Sequence, residues 1–500
     1  MKHLYFKYLS LVLSLLLVPS VLMALEKDGE VYVIGTSDEL IEFAQLVNSG
    51  KAYNIYGNAD AKLIADIDLR GRESEFPLIG TAAHQFMGTF DGQLHTITYN
   101  LVSTAESCGL FAYSCGTVRN LYVDGTMQVN HDSAGSIVGT ANFPALIEQC
   151  HSKVKITVNN ANKVGGLVGL SSGSYTPPYV QIQNCIYSGH IMGFSFQYSG
   201  ILGLAEDNTV VKNCLVTAQI DTDVTQGTGH IIAGETPDNA WISNCYYVYP
   251  YGNPIPRGAT QITMDQVESG EVCCLLNFEG YYYGGVSHLT TFRQNIGEDK
   301  FPVFDSSHGI VKEITSIGVA SFAPGYFEFC SESRGNVTVP EGVKAYTGTV
   351  SGNSLLLRPA GNVIGGGNGH GFVLKGEQGF YSFMPTYEEV VAVDNDLHGG
   401  SSASYTQHAN FYVLKEKDGV VGFYKLENSE GLDSHIAYLI NPPTNVEMLP
   451  LVFEEETAIQ EVQHAQKADD TFIYDLSGRR VKNATKGVYI VNGKKIVRGN

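Results

Sequence analysis

The sequence predicts an all-β protein: a right-handed parallel β-helix, then an antiparallel β-sandwich and a short C-terminal β-hairpin. Three observations support this fold class. One pattern of residues recurs about every thirty positions between Cys108 and Tyr251. Apolar and polar residues alternate within each unit, which is the period of a strand. Glycine (55 of 500 residues) and tyrosine (29) suit strands joined by tight turns.

The repeat has five anchor residues, whose separations by subtraction are 29, 35, 29 and 31: Leu121, Cys150, Cys185, Cys214 and Cys245. Asn or Gln precedes each anchor directly, and Ile or Val stands three places before it. A second motif of small and apolar residues alternates with the first, as in the GGLVG of Gly165–Gly169. Coils of similar length stack like residues about 4.8 Å apart. We therefore expect interior columns of Ile, Val and Cys, with Asn or Gln at a bend of left-handed backbone.

The charge and the cysteine count limit the protein's partners and chemistry. A formal net charge of −20 disfavours nucleic-acid binding, which needs a basic face, and suits an extracellular protein. Nine cysteines cannot all pair within one chain. We expect the column cysteines to be buried free thiols, with disulfides or a metal as alternatives. There is no CxxC, and the adjacent Cys273 and Cys274 are a weak indication of zinc.

The N-terminus has the features of a secretory signal peptide, assigned to residues 1–24. Basic residues precede the apolar run Leu9–Leu17, and small residues suitable for cleavage follow at Ser20 and Ala24. The run is short for a membrane span, and no later stretch is long enough. The sequence predicts an exported protein without a transmembrane segment.

A helix is predicted next, at the start of the β-helix domain (residues 31–250). Thr36 and Glu39 are spaced as a capping box ahead of an amphipathic apolar pattern that ends at Gly50. A β-helix exposes unpaired strand edges at its ends. We expect this helix to cover the N-terminal end.

The first coils follow, with Leu63–Leu69 predicted as a strand and Phe86–Leu101 as the first full coil. Asp91 and Gly92 in that coil are interpreted as turn residues rather than catalytic ones. The GGLVG of Gly165–Gly169 resembles the GLUG motif, and Gly88–Gly92 (GTFDG) resembles the coil that often precedes that motif. The resemblance covers roughly residues 31–250. It implies a secreted or surface-displayed protein of Bacteroidota, and it implies no activity because the motif's residues are structural.

Residues 251–311 are predicted to close the β-helix, and residues 312–456 to form a separate accessory domain. The repeat ends at Tyr251, and Met264–Asn277 is predicted as a helix that acts as a second cap. Residues 285–305 resemble the closing segment that follows such repeats in related secreted proteins. From residue 312 the alternation continues without the repeat, with loops of hairpin length, which predicts an antiparallel β-sandwich.

A polar linker (457–471) leads to a basic tail, residues 472–500. Turns at Ser477-Gly478 and Asn492-Gly493 predict hairpins. The tail (IYDLSGRRV, then KGVYIVNGK) resembles the C-terminal sorting domain of the type IX secretion system. This implies the secretion machinery as a partner and a location outside the cell or on the outer membrane, reached through the periplasm. The alternative is an ordinary hairpin that completes the sandwich.

Four sequence motifs are associated with chemistry in other proteins, but here none assigns a catalytic, cofactor-binding or metal-binding residue. Gly169–Gly173 matches G-x-S-x-G, but prolines follow where a nucleophile elbow needs a helix. The histidines form no HExxH. Asp394–Gly399 is half of a calcium loop, whose last position, Tyr405, is not an acid. The Gly365–Gly371 loop joins two strands, so it is not a phosphate cradle. No cofactor is expected.

Two function classes remain. The first is a non-catalytic, adhesin-like protein whose outer face presents Thr, Gln, Asp and Tyr to a glycan or a cell-surface partner. The second is a polysaccharide lyase or glycoside hydrolase that uses an outer face of the β-helix. The outward candidates Lys153, Lys155, His190 and Asp221 lie in different coils, with no convergence evident in the sequence. The sequence therefore favours binding.

Overall fold

A computed structural model describes most of the chain between Leu25 and Arg498. The residues described are 25–53, 58–130, 132–173, 177, 179–206, 208–222, 228–234, 240–250, 258–278, 291–324, 335–365, 369–390, 393–399, 410–427, 436–454, 473–475, 480–481, 487–491 and 494–498. The predicted signal peptide and linker lie outside these residues. The helices of the described part are Ser37–Asn48, Met264–Glu268 and Glu271–Phe278. No described helix has the length and apolar character needed to cross a membrane.

Three sheets build the predicted β-helix from the described residues between 27 and 261, and their pairing is parallel except between Lys27–Asp28 and Val31–Ile34. The first sheet contains Lys27–Asp28, Val31–Ile34, Ala61–Leu63, Thr89–Asp91, Thr117–Arg119, Leu146–Glu148, Val180–Gln183, Thr209–Lys212 and Ala240–Ser243. The second contains Ile67–Asp68, Thr96–Ser103, Ser107–Cys108, Tyr122–Val129, Ser133–Gly135, His151–Ser152, Lys155–Gly165, Ile186–Tyr187, His190–Ser199, Leu215–Val216, Gln219–Thr222, Thr228–His230, Cys245–Tyr247 and Ala259–Gln261. The third contains Phe111–Ser114, Val138–Asn142, Val168–Ser172 and Leu202–Ala205.

The column of Asn and Gln at the bend is confirmed. Its members have left-handed backbone with φ between 48° and 53°: Asn120, Gln149, Asn184, Asn213 and Asn244. The side-chain amide of Asn213 donates to the Oδ1 of Asn184 at 3.0 Å, and that of Asn244 donates to the Oδ1 of Asn213 at the same distance. The residue type therefore supplies both the backbone conformation and a bond between coils.

The column of buried thiols is also confirmed. Cys150, Cys185, Cys214 and Cys245 are at most 1% exposed, and every cysteine in the described residues is free. Each column thiol points at a backbone carbonyl oxygen of the previous coil, at 3.6–3.8 Å. That carbonyl belongs to the Ile or Val three places before the previous anchor. Burial raises the pKa of Cys185 well above its usual value, so this thiol is neutral and unreactive in the folded protein.

The N-terminal helix, Ser37–Asn48, is present as predicted and packs its apolar face onto the first coils, whereas its role as a cap stays a prediction. The hydroxyl of Thr36 accepts from the backbone N–H of Glu39. In a capping box the Glu39 carboxylate would accept from the backbone N–H of Thr36. Here it accepts instead from the N–H of Gly35, one residue earlier, at 2.7 Å. Phe43 is fully buried, with its ring centroid 6.1 Å from that of Phe90 in the coil beneath.

Two expectations for the first coils were wrong. Leu63–Leu69 is not one strand, because a bend separates Ala61–Leu63 from Ile67–Asp68. The stacking also starts before Phe86, since Val31–Ile34 already pairs in parallel with Ala61–Leu63. These short strands lack the repeat's anchors, so the repeat could not reveal them.

The described residues 258–278 and 291–311, here called the closing segment, lie along the side of the β-helix. The predicted helix Met264–Asn277 is two short helices, Met264–Glu268 and Glu271–Phe278, separated at Gly270, which has a φ of +88°. Their buried side chains belong to a second apolar cluster, separate from the interior of the β-helix. The predicted helix is thus divided in two, and its role as a second cap stays a prediction. The ladder also continues past Tyr251, since Ala259–Gln261 pairs in parallel with Cys245–Tyr247.

The closing segment covers a row of outward residues on the second sheet, here called the lateral row. Parallel pairing places its members one above another on successive coils: Tyr122, His151, Ile186, Leu215 and Tyr246. Phe292 and Phe304 are nearly buried in the same cluster. An outward position of a strand is apolar when another layer covers it, and this layer is the closing segment.

The described strands between residues 310 and 454 form two further sheets. The smaller contains Ile310–Ile314, Gly379–Thr386, Asn336–Thr338 and Val363–Ile364. The larger contains Val319–Phe322, Phe372–Lys375, Lys344–Ser351, Ser354–Pro359, Met448–Phe453, Val420–Lys425, Phe411–Lys417, Ala437–Ile440 and His398–Gly399. Their pairing is antiparallel except between Ser354–Pro359 and Met448–Phe453. The sandwich arrangement of these sheets stays a prediction.

The tail strands form a four-stranded antiparallel sheet of their own. In sheet order they are Arg480–Val481, Ile473–Asp475, Gly487–Val491 and Lys494–Arg498. Within the described residues, no strand of the tail pairs with a strand of another region. The strand pairs flank residues 476–479 and 492–493, where the sequence places its turns.

Candidate functional site

The structure places three of the four outward candidates for catalysis on neighbouring coils. Lys155 and His190 are register partners on neighbouring coils. His190 Nε2 lies 2.9 Å from Asp221 Oδ2, and both side chains are partly exposed. Lys153 is exposed at the start of the same segment, beside buried His151. The sequence shows no convergence of Lys155, His190 and Asp221, because strand register aligns residues whose spacing in the chain differs between coils.

The Asp221 carboxylate is held in place by two neighbours. Gln219 donates to both of its oxygens at 3.0 Å, and His190 contacts one of them. The bond from Gln219 first, and then the one from His190, lower the pKa of Asp221. Asp221 is thus ionised at neutral pH and orients the imidazole. This exposed pair can move a proton, but no described side chain beside it serves as a nucleophile.

A deeper site lies where the second sheet turns into the third. It is a groove with a cavity volume of about 500 Å³. Its lining residues are Glu106, Tyr113, Asn130, Asp132, Ser133, Thr140, Ala161, Asn162 and Leu170. They come from consecutive coils, so the groove runs along the axis of the β-helix.

The floor of the groove is formed by the buried hydroxyls of Ser133 and Thr140, with the buried hydroxyl of Ser107 next to them. Ser107 and Ser133 lie on neighbouring rungs, and their Oγ atoms are 2.9 Å and 3.1 Å from Thr140 Oγ1. Ser107 donates to the carbonyl of Ala112, and Ser133 donates to that of Glu106. Since these protons are already committed, the floor is a fixed surface, and ligand bonds have to come mainly from the walls.

The walls carry carboxylates and amides. Lys163 pairs with Asp132 at 3.2 Å, and the Asn162 side-chain amide donates to the same carboxylate. The backbone N–H groups of Asn162 and Lys163 both donate to the carbonyl of Asp132. The charge of Lys163 balances that of Asp132. Glu106, on the exposed rim, leaves the groove weakly negative.

Tyr113 supplies an aromatic ring and a donor. Burial, followed by the nearby carboxylates of Glu106 and Asp132, raises the pKa of this phenol. The hydroxyl therefore stays protonated at neutral pH and donates hydrogen bonds. Together with Ala161 and Leu170 it gives the groove an apolar part beside the polar walls.

Sequence reasoning missed this groove, although a signal was present. Asp132 and Asn162 stand three places before Gly135 and Gly165, which open the small-apolar motif of their coils. Phe196 stands three places before Ser199, which opens the motif of the next coil. The position of Glu106 in this row is harder to predict. The motif aligns Cys108 with Gly135, whereas the strands pair Cys108 with Ala134 and Ser107 with Ser133, which is a shift of one residue.

The other motifs have structural roles. Ser171, which occupies the nucleophile position of G-x-S-x-G, is fully buried and lies 2.8 Å from Thr209 Oγ1. Asn395 and Asp396 accept from the backbone N–H groups of Gly348 and Val350, so they fasten a loop to a strand. Residues 366–368 and 400–409, parts of the other two motifs, lie outside the described residues. Across the described ranges, no three His, Cys, Asp or Glu side chains are grouped to hold a metal.

Comparison with known proteins gives little further information. No protein-family model matches the chain. Halomucin of Haloquadratum walsbyi is 29% identical over 140 residues, which are 26% of this chain and 2% of halomucin. A solved structure of a candidate immunoglobulin A1 protease from Bacteroides ovatus matches with a TM-score of 0.39 and 16% identity, over 56% of this chain and 93% of that chain. Likeness at this level supports no statement about activity.

Proposed function

We propose that this is an exported, non-catalytic protein that binds a neutral glycan, free or on a cell-surface partner, in the groove around Asp132. The observation that carries the proposal is the lining: fixed hydroxyls on the floor, and amides, carboxylates and a protonated phenol on the walls. Such a surface offers both donors and acceptors, which suits the hydroxyl groups of a sugar.

Charge indicates which glycan. Asp132 is balanced by Lys163, and Glu106 adds a further negative charge at the rim. A uronate or sulfated chain would be repelled, since like charges are disfavoured at a binding surface. A neutral glycan avoids this cost.

The location of the protein outside the cell is part of the proposal. The apolar run Leu9–Leu17 and the basic tail are the features of a signal peptide and a type IX sorting domain. The separate pairing of the tail strands is consistent with a module that can be recognised without disturbing the cargo. The secretion machinery would then be the first partner, and the cell surface or the medium the destination.

The test is a glycan array probed with the protein lacking residues 1–24. We expect neutral glycans to bind and uronate or sulfated glycans not to bind, with little dependence on salt. Glu106→Gln removes only a charge and should relax the exclusion of acidic glycans. Asp124→Asn is the matched control, because Asp124 is an exposed acid on the second sheet that does not line the groove. An array on which only acidic glycans bind, or none, would contradict the proposal.

The His190–Asp221 pair beside Lys155 supports a second candidate, a polysaccharide lyase or glycoside hydrolase. A carboxylate that orients a histidine can assist proton transfer. Any glycan found on the array should be incubated with the protein and assayed for new reducing ends and unsaturated products. Product formation that is lost in His190→Gln would favour the enzyme over the binding protein.

A further inference from the structure

The groove does not end at its lining residues, because the same row of the β-helix continues onto an exposed aromatic residue. Ser107, Ser133, Lys163 and Gln197 are register partners on four successive coils. The residues directly before them are therefore stacked as well: Glu106, Asp132, Asn162 and Phe196. At about 4.8 Å per rung, this row spans about 14 Å along the axis.

Phe196 differs from the members of the row that line the groove. Its side chain is 51% exposed. The ring of Phe194 lies edge-on, with centroids 5.2 Å apart and an interplanar angle of 72°. This contact helps to orient the Phe196 ring, and the exposed part of the residue faces solvent beside the row. The row thus changes from carboxylate and amide groups to an aromatic platform at one end.

From this row we infer that the site binds an unbranched neutral glycan chain that lies parallel to the axis of the β-helix, with one sugar ring stacked on Phe196. The inference rests on the proposed function and adds the shape of the ligand to it. The C–H face of a pyranose packs on an aromatic ring, and its hydroxyls reach the amides and carboxylates of the neighbouring rungs. One sugar unit is similar in length to one rung, so a chain can repeat its contacts from coil to coil.

A peptide strand fits this surface less well. Extended peptides usually add to the free edge of a sheet. The strand that follows Asp132 and the strand that holds Asn162 both pair with coils on either side, so the groove offers no free edge among the described residues. The weak negative charge also disfavours nucleic acids and anionic polysaccharides.

The experiment is calorimetric titration of neutral gluco-, manno- and xylo-oligosaccharides, each from the monosaccharide to the hexasaccharide. In the series that binds, the affinity of the wild-type protein should rise with length until the row is filled. Phe196→Ala should weaken binding of the hexasaccharide by about tenfold while changing disaccharide binding much less. Phe196→Tyr keeps the ring and should retain the affinity.

Trp241→Ala is the matched control, because Trp241 is 50% exposed but lies on the first sheet, away from the row. It should bind like the wild type, and all variants should show the same thermal unfolding. Equal binding of disaccharide and hexasaccharide, or wild-type affinity in Phe196→Ala, would overturn the inference and leave the proposed function standing. Failure of all three series together with a blank neutral array would overturn both.

Discussion

Replacing His151 with leucine should make the protein more resistant to acid. The imidazole is buried in the lateral row, with ring centroids 5.8 Å from Tyr122 and 5.9 Å from Phe301 of the closing segment. A hydrogen bond joins its Nε2 to the Ser188 hydroxyl at 2.7 Å. Burial, followed by the charge of Lys153, lowers the pKa of His151 to about 3. The folded protein therefore keeps this ring neutral well below neutral pH.

The size of the effect follows from the two pKa values. In the unfolded chain a histidine titrates near pH ~6.5. Above that pH the ring is neutral in both states and contributes no pH dependence. Below it only the unfolded state takes up the proton, so the free energy of unfolding falls by about 1.4 kcal/mol per pH unit, until the folded pKa is reached. At about pH 4.5 the wild type should have lost about 2–3 kcal/mol through this residue alone.

The assay is urea unfolding followed by the fluorescence of Trp241, the single tryptophan of the chain, which lies in the β-helix. His151→Leu should gain stability relative to the wild type as the pH falls from about 7.5 to about 4.5. Leucine fits this row, since Leu215 occupies it two coils away.

Ile186→Val, on the next rung, is the matched control for this series. It removes a methylene without a titrating group, so its difference from the wild type, about 0.5–1.5 kcal/mol, should not change with pH. A His151→Leu difference that stays constant over the same range would refute the assignment of a buried neutral histidine.

Three further predictions follow from the columns, the end and the tail. Cys185→Ser should lower the free energy of unfolding by roughly 1–3 kcal/mol, and Cys185→Ala by as much or less, in urea titrations; a Cys185 disulfide found by mass spectrometry would contradict the buried thiol. Deletion of residues 25–50 should produce oligomers that remain β-rich, because it exposes strand edges and the aromatic rings beneath Phe43. Light scattering and circular dichroism measure this, and a monomer of unchanged stability would contradict the capping role. Removal of residues 474–500 should leave a folded protein that accumulates in the periplasm, whereas surface display equal to that of the full chain, measured by fractionation, would show that the tail is ordinary structure.

The interior of the β-helix was predictable because its columns repeat in residue type. Asn184 and Asn213 are required by the left-handed bend, and the cysteines fill equivalent interior places, so each coil carries the same residues at the same offsets. The N-terminal helix was predictable from its cap and its apolar face. These are local signals, which a single sequence contains.

The groove and the lateral row depend on contacts between coils, and the sequence shows these poorly. His151, Ile186 and Leu215 each stand directly after an anchor. The apolar residues Ile186 and Leu215 at this outward position indicate that another layer of the protein covers it. Because histidine is a polar residue type, His151 interrupts the apolar pattern by which the row could be recognised in the sequence. Glu106 and Asp132 became neighbours through a register that is shifted within the first coil, which no fixed spacing predicts.

The closing segment has a consequence for how the β-helix unfolds. In a solenoid each coil contacts only its neighbours, so coils can detach one at a time from an end. Here a single stretch of chain touches Tyr122, Ile186 and Tyr246, and the Asn244 side chain also donates to the carbonyl of Leu275 in its second helix. Losing one of the coils between Tyr122 and Tyr246 therefore costs contacts that the segment makes with the others. These coils should open as one cooperative unit, and unfolding should begin in the coils before the one that holds Leu94, because they contribute no residue to this cluster.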